Sequence, residues 1–246
     1  MKYSKAVALS VLMAVPMIGF SDGDTNVTWK SSLAAGVTYK SGNTEKTLYT
    51  ANLKGERRAE ETDLIASLYG EYGTTEDPGT GVESTTEGQL RGQAELRWKL
   101  DGKLYASINT ELLHDALKDI SYRLSIGPNI GYYFIDDDDQ KLDISLGVNE
   151  VFERVAGKDD DYATIRVAEK YSWQINEASD FYFNTEFNAR AEDVEDNTTL
   201  FVTGVKSKVS EQLSIFTELR DEYDSRPTAG VKHNDATLLV GLNYDF

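Results

Sequence analysis

The sequence predicts an all-β protein, a transmembrane antiparallel up-and-down β-barrel of about 12 strands, and three observations carry that expectation. Apolar and polar residues alternate with period two along nearly all of the chain after its N-terminus, with almost no helical periodicity. Most alternating stretches run to about eleven to fourteen residues, beyond the roughly five or six usual in soluble sheets and right for a tilted bilayer crossing. Aromatic residues gather on one face at both ends of these stretches, as a layer with two water interfaces selects.

Composition alone points elsewhere, which makes the pattern the informative feature. The 246 residues carry a formal charge of −17, 40% are hydrophobic and none is cysteine. Mean hydropathy is −0.45. Outside the N-terminus no apolar run nears the ~18 residues of a spanning helix, so a helical membrane protein is excluded. Zinc-thiolate, disulfide and cysteine-nucleophile chemistry need residues the chain lacks. The acidic balance argues against nucleic acid as a partner.

Met1–Ser21 reads as a secretory signal peptide, with Lys2 and Lys5 before an apolar stretch and small Gly19 and Ser21 at the cleavage spacing. Its removal takes the formal charge from −17 to −19. Residues 22–246 then form one domain, since no linker or change of composition divides them.

In chain order the strands are expected at 27–40, 46–58, 63–73, 84–100, 103–114, 121–134, 141–154, 162–175, 181–192, 198–209, 213–224 and 236–246. The cleanest is 84–100. Its even positions include Leu90, Ala94, Leu96, Trp98 and Leu100, and its odd positions are Thr85, Glu87, Gln89, Arg91, Gln93, Glu95, Arg97 and Lys99. Alternate residues of a strand point to opposite faces, so one face is small or apolar and the other wholly polar. Asp101-Gly102 predicts a two-residue hairpin to the next strand. The connections 74–83 and 225–235 are longer.

If the first strand starts on the periplasmic side, Trp29, Trp98, Trp173, Phe134, Phe181, Phe183, Tyr244 and Phe246 lie at periplasmic ends of the apolar face. Tyr39, Tyr49, Tyr72, Tyr122, Phe152, Phe201 and Tyr223 lie at the opposite ends. These two girdles favour lipid outside the barrel over a soluble core, because a core has no reason to sort aromatics to both rims. Closure is required, since only a closed barrel satisfies strand hydrogen bonds in lipid.

Three residues conflict with this phase. Glu150, Glu169 and Asp221 fall on the apolar face. A β-bulge returning Glu150 and Glu169 to the lumen is the expected repair, while Asp221 sits near a rim. Pro128 cannot donate to the ladder, so distortion is expected beside Gly127.

The chain ends Ala-Thr-Leu-Leu-Val-Gly-Leu-Asn-Tyr-Asp-Phe, which resembles the signal by which the barrel-assembly machinery recognises its clients. Ser41-Gly42-Asn43-Thr44, the Gly127–Gly131–Tyr132 strand, and Tyr223-Asp224-Ser225-Arg226-Pro227 followed by Gly230, Lys232 and Asp235 extend the likeness over nearly all of the chain beyond Ser21. In this it resembles the salt-induced outer-membrane protein family, domain of unknown function 481. The resemblance implies a cell outer-membrane location and supplies no established activity, catalytic residue or ligand.

The polar face nearly balances Lys and Arg against Asp and Glu, which predicts ladders of Arg91, Arg97, Arg123, Arg166, Arg190 and Arg220 facing Glu87, Glu95, Glu111, Glu186 and Glu218. A narrow passive channel for small polar solutes or ions and a closed barrel supporting the envelope under osmotic or salt stress both fit that face. An outer-membrane lipid hydrolase would need a Ser–His pair, but His114 and His233 lie at a rim and in a loop, in no nucleophile motif. The acidic runs Asp136–Asp139 and Asp159–Asp161 lack the spacing of a calcium loop and read as solvated. No catalytic residue, cofactor or metal site is expected. The partners expected are outer-membrane lipid, lipopolysaccharide and the assembly machinery, around a monomer.

Overall fold

The computed structural model describes residues 27–40, 45–76 and 83–246, so the signal peptide and the Ser41–Thr44 motif lie outside the described residues. Twelve strands close into one barrel: β1 (Thr28–Lys40), β2 (Glu45–Arg58), β3 (Thr62–Glu76), β4 (Glu83–Asp101), β5 (Leu104–Asp115), β6 (Ile120–Asp136), β7 (Gln140–Val155), β8 (Lys158–Asn176), β9 (Ser179–Arg190), β10 (Asp193–Lys208), β11 (Leu213–Asp224) and β12 (Asn234–Asp245). Each pairs antiparallel with its neighbour in sequence, and β1 closes on β12 from Ser32↔Asp245 to Gly36↔Gly241.

The two rims differ. The β2–β3, β4–β5, β6–β7, β8–β9 and β10–β11 turns share one rim, the short-turn end, and the remaining connections, including the nine-residue stretch 225–233, share the other, the long-loop end. Among the described residues the outer surface is greasy: Leu33, Leu68, Leu112, Ile130, Leu146, Leu238 and Val240 are all exposed there. The side-chain burial of a soluble protein is inverted, with Arg97, Glu95, Asp143 and Arg166 buried inside. Period-two alternation produces this at no cost in backbone geometry, because each strand offers one face outward and one inward.

Three local expectations change. The β4–β5 hairpin turns at Gly102–Lys103, one residue later than Asp101-Gly102, because a register shift between Lys99 and Asp101 absorbs a residue. Gly102 adopts φ +46°, a conformation that favours glycine. Strand β8 starts at Lys158, four residues before the expected 162, so Asp159–Asp161 belong to a strand. The tight β7–β8 turn makes this possible: Ala156 and Gly157 both have positive φ (50° and 74°), the geometry that matches strand twist in a two-residue hairpin.

The third is the β-bulge that was to bring Glu150 and Glu169 inward. No such bulge exists: β7 and β8 pair without a shift from Gln140↔Trp173 to Val155↔Lys158. Glu150 and Glu169 stay on the outer face, opposite Ala163 and Ile144 respectively. A slip that turned Glu169 inward would reverse every later side chain, taking Lys170 from the lumen and putting Trp173 in it. Lys170 is held there by an ion pair to Glu95 at 2.8 Å. The lumen therefore fixes the register and the outer face accepts the consequence. Asp221 also faces outward, beside the rim, where the Asn234 side-chain amide donates to its carboxylate at 3.0 Å. At Pro128 the β6–β7 ladder is interrupted between Ile126↔Glu150 and Asn129↔Gly147, and it resumes in the same register.

Candidate functional site in the lumen

Large inward side chains lie flat on glycines of the adjacent strand. Tyr105 pairs with Gly131, Tyr182 with Gly204, Phe216 with Gly241, and Asn129 with Gly147. A Cβ at Gly131 would stand 2.2 Å from the Tyr105 ring, and one at Gly204 2.5 Å from the Tyr182 hydroxyl. The rings thus take the place of absent side chains and run along the wall instead of across the bore. The two tyrosines also present a polar end to the lumen: Tyr105 donates to Asp143 at 2.6 Å, and Tyr182 to Glu218 at 2.8 Å.

On strands β4 to β8 the inner wall is ionic. Arg97 donates to both Glu95 oxygens at 3.0 and 3.1 Å, reaches Asp143 at 3.3 Å, and lies 4.4 Å over the Tyr105 ring. Arg166 bridges to Glu186 of β9 at 2.6 Å and donates to Asn129 at 3.2 Å. Arg123 pairs with Glu153, and Arg190 with Asp160 and Asp196. Asp143, Glu153, Asp160 and Asp196, with Asp63 and Glu222, are missing from the ladder read from sequence, although each has the inward parity that could have found it.

The paired charges also cross the bore near the long-loop end. Arg91 on β4 binds Glu111 at 3.1 Å and Glu222 on β11 at 3.0 Å, joining strands five places apart round the barrel. Gln89 donates to the same Glu222 carboxylate at 3.2 Å, and Lys118, in the β5–β6 turn, reaches it at 2.8 Å. Thr228 of the β11–β12 loop donates to the Lys118 carbonyl at 3.2 Å. A polar cavity of about 10 Å³, room for about one water, lies beside Gln89, Asp115 and Glu222. Lys118 is held protonated above the usual lysine range: burial in the turn opposes its charge, and the Glu222 carboxylate outweighs that.

Towards the middle of the bore Arg220 pairs loosely, 3.8 Å from both Glu218 and Glu222, and rests 4.1 Å over Tyr69, whose hydroxyl binds Glu71. On the remaining wall an apolar cluster of Leu48, Phe216 and Leu239 packs with Ala34 inside the lumen. It lies where a polar lining was expected. The Glu87 and Tyr39 side chains lie outside the described residues.

On the outer face Trp29, Trp98, Phe134, Trp173, Tyr244 and Phe246 are exposed towards the short-turn end, and Tyr49, Tyr72, Tyr122, Phe152 and Tyr223 towards the long-loop end. Phe181, Phe183 and Phe201 are half-buried, with Phe183 and Phe201 in edge contact 5.3 Å apart. Neither histidine is arranged against a serine hydroxyl: His114 Nδ1 meets the Ser121 carbonyl and His233 Nδ1 the Asp224 carbonyl.

Among solved structures the barrel is similar to NanC porin, with a TM-score of 0.55 at 10% identity over 87% of this chain and 98% of that one. An outer membrane channel from Pseudomonas putida F1 matches with a TM-score of 0.48 at 10% identity, covering 89% of this chain and 94% of that one. KdgM porin matches with a TM-score of 0.45 at 10% identity, covering 89% and 99%. At such identities the NanC likeness speaks for the fold. No curated protein sequence matches the chain. Residues 33–246 match the family described as protein of unknown function, DUF481, and the chain belongs to that family.

Proposed function

We propose that this protein is a non-enzymatic outer-membrane barrel, exported by the Met1–Ser21 signal, whose polar bore is a very narrow passive channel for small polar solutes or ions. The observation that carries the reading is the lumen itself: an ionic wall along β4 to β8 inside a greasy cylinder, with large rings laid along the wall by glycine partners so that the bore is not filled by them. Such an interior suits water and hydrated solutes, and an outer band of Leu, Ile and Val suits acyl chains. With the short-turn end in the periplasm, outer-membrane lipid and lipopolysaccharide contact the outer face, the C-terminal strand engages the assembly machinery, and the barrel works as a monomer.

The cross-bore bonds to Glu222 favour a second reading, a barrel closed at its long-loop mouth that supports the envelope mechanically. Planar-bilayer conductance of refolded protein separates the two. A small, steady conductance that rises several-fold in Glu222→Gln supports a channel narrowed by this latch. A flat trace in both proteins leaves the closed barrel.

A further inference from the structure

Most cations of the inner wall are ion-paired with a carboxylate. Lys99 pairs with Asp63, Lys170 with Glu95, Lys206 with Asp245 and Arg91 with Glu111. Lys54 differs. It sits inward on β2, four residues from the strand end, between Ser32 of β1 and Ser67 of β3, and among the described residues it makes no ion pair or hydrogen bond. Its side chain is exposed to open space, although the barrel encloses it.

The charges near enough to act on it are Glu218, Lys170, Glu56 and Arg220. Both carboxylates are engaged, Glu218 by the Tyr182 hydroxyl and Glu56 by Arg58. Arg220 supplies a second and independent observation. The residue is only 8% exposed, and its Nε and Nη1 groups are buried without a hydrogen-bond partner, since the nearest carboxylates stand at 3.8 Å. Buried guanidinium N–H groups are costly to leave unmet. One ammonium without a counter-ion and two unmet guanidinium donors therefore lie in the same stretch of the bore.

We propose that Lys54 and Arg220 form a binding site for a small oxyanion, a carboxylate or a phosphate, held in the lumen between β2 and β11. Arg220 offers directed donors, and its stacking on Tyr69 fixes the plane of the guanidinium. Lys54 offers a mobile point charge, and the Ser32 and Ser67 hydroxyls flank it. The site's part in permeation rests on the channel reading; the binding itself does not.

Two measurements keep these apart. In refolded barrel, inorganic phosphate should slow acetylation of Lys54 by a neutral amine-reactive ester, read by peptide mass spectrometry, while Lys158 and Lys232 react unchanged. Arg220→Gln should abolish that protection, with heat-modifiable migration on a gel confirming that the variant is folded. In planar bilayers under a salt gradient, the reversal potential should show a preference for anions that falls several-fold in Lys54→Gln and returns in Lys54→Arg. Protection without conductance upholds the site and removes the channel. Conductance with a selectivity unchanged by Lys54→Gln, or phosphate that leaves Lys54 acetylation untouched, overturns the site.

Discussion

The two inner walls of this barrel are held by opposite means. From β4 to β8 Arg97, Glu95, Asp143 and Lys170 interlock at distances of 2.8 to 3.3 Å. From β11 round to β2, Phe216, Leu239 and Leu48 meet above Gly36 and Gly241, where a Cβ would stand 2.2 Å from the Ala35 carbonyl. The comparison teaches that a membrane barrel has no single interior. Where charges are matched, low dielectric strengthens each bond but makes a missing partner expensive. Where rings pack on bare backbone, cohesion comes from dispersion and excluded water, and nothing is left unpaired when one side chain changes.

That difference can be broken from either side. The largest effect is expected from Arg97→Met, which leaves buried Asp143 without a cation and Glu95 with Lys170 alone, and should cost about 3–5 kcal/mol in urea unfolding from lipid vesicles. Adding Asp143→Asn should return part of that loss. If the double variant is no better than the single, the wall is not held by the charge match. Phe216→Ala on the opposite wall should cost about 3 kcal/mol, with no partner substitution able to restore it. A loss well under about 1 kcal/mol would show that the ring lies idle in the bore.

The smallest effect concerns the mouth. Lys118 faces Glu222, Asp115 and Asp235, and its folded value lies above the ordinary one of about 10.4. Its contribution is therefore complete below that ordinary value and is lost as pH rises through the folded one. Conductance should stay level to about pH 10 and increase modestly beyond it. In Lys118→Met the increase should already be present at neutral pH, and a wild-type rise at neutral pH would refute this assignment.

The outer strands teach a related lesson about what can be read in advance. Strand β11 runs from 213 to 224, where the alternation of Ile215, Leu219 and Tyr223 against Glu218, Arg220 and Glu222 places it. Period-two patterning is local, so it survives without any knowledge of partners. Partner choice is not local. Arg123 and Arg190 find Glu153, Asp160 and Asp196, because shear and strand tilt decide which inward residues meet across neighbouring strands. Glu169 shows the limit most clearly: its outward position looks like an error along one strand, and only the Lys170–Glu95 pair across the bore explains it.

By itself, then, the chain determined a cylinder of alternating strands with its greasy face out, because side-chain direction follows from the two-residue repeat of extended backbone. Tertiary structure decided everything that depends on closure. It set Glu222 against Arg91 and Lys118 from the far side of the barrel, gathered Leu48, Phe216 and Leu239 into a patch no strand announces, and left Lys54 without an ion pair among the described residues. Contacts across a lumen join residues far apart in sequence, and their identity is fixed only when the last strand pairs with the first.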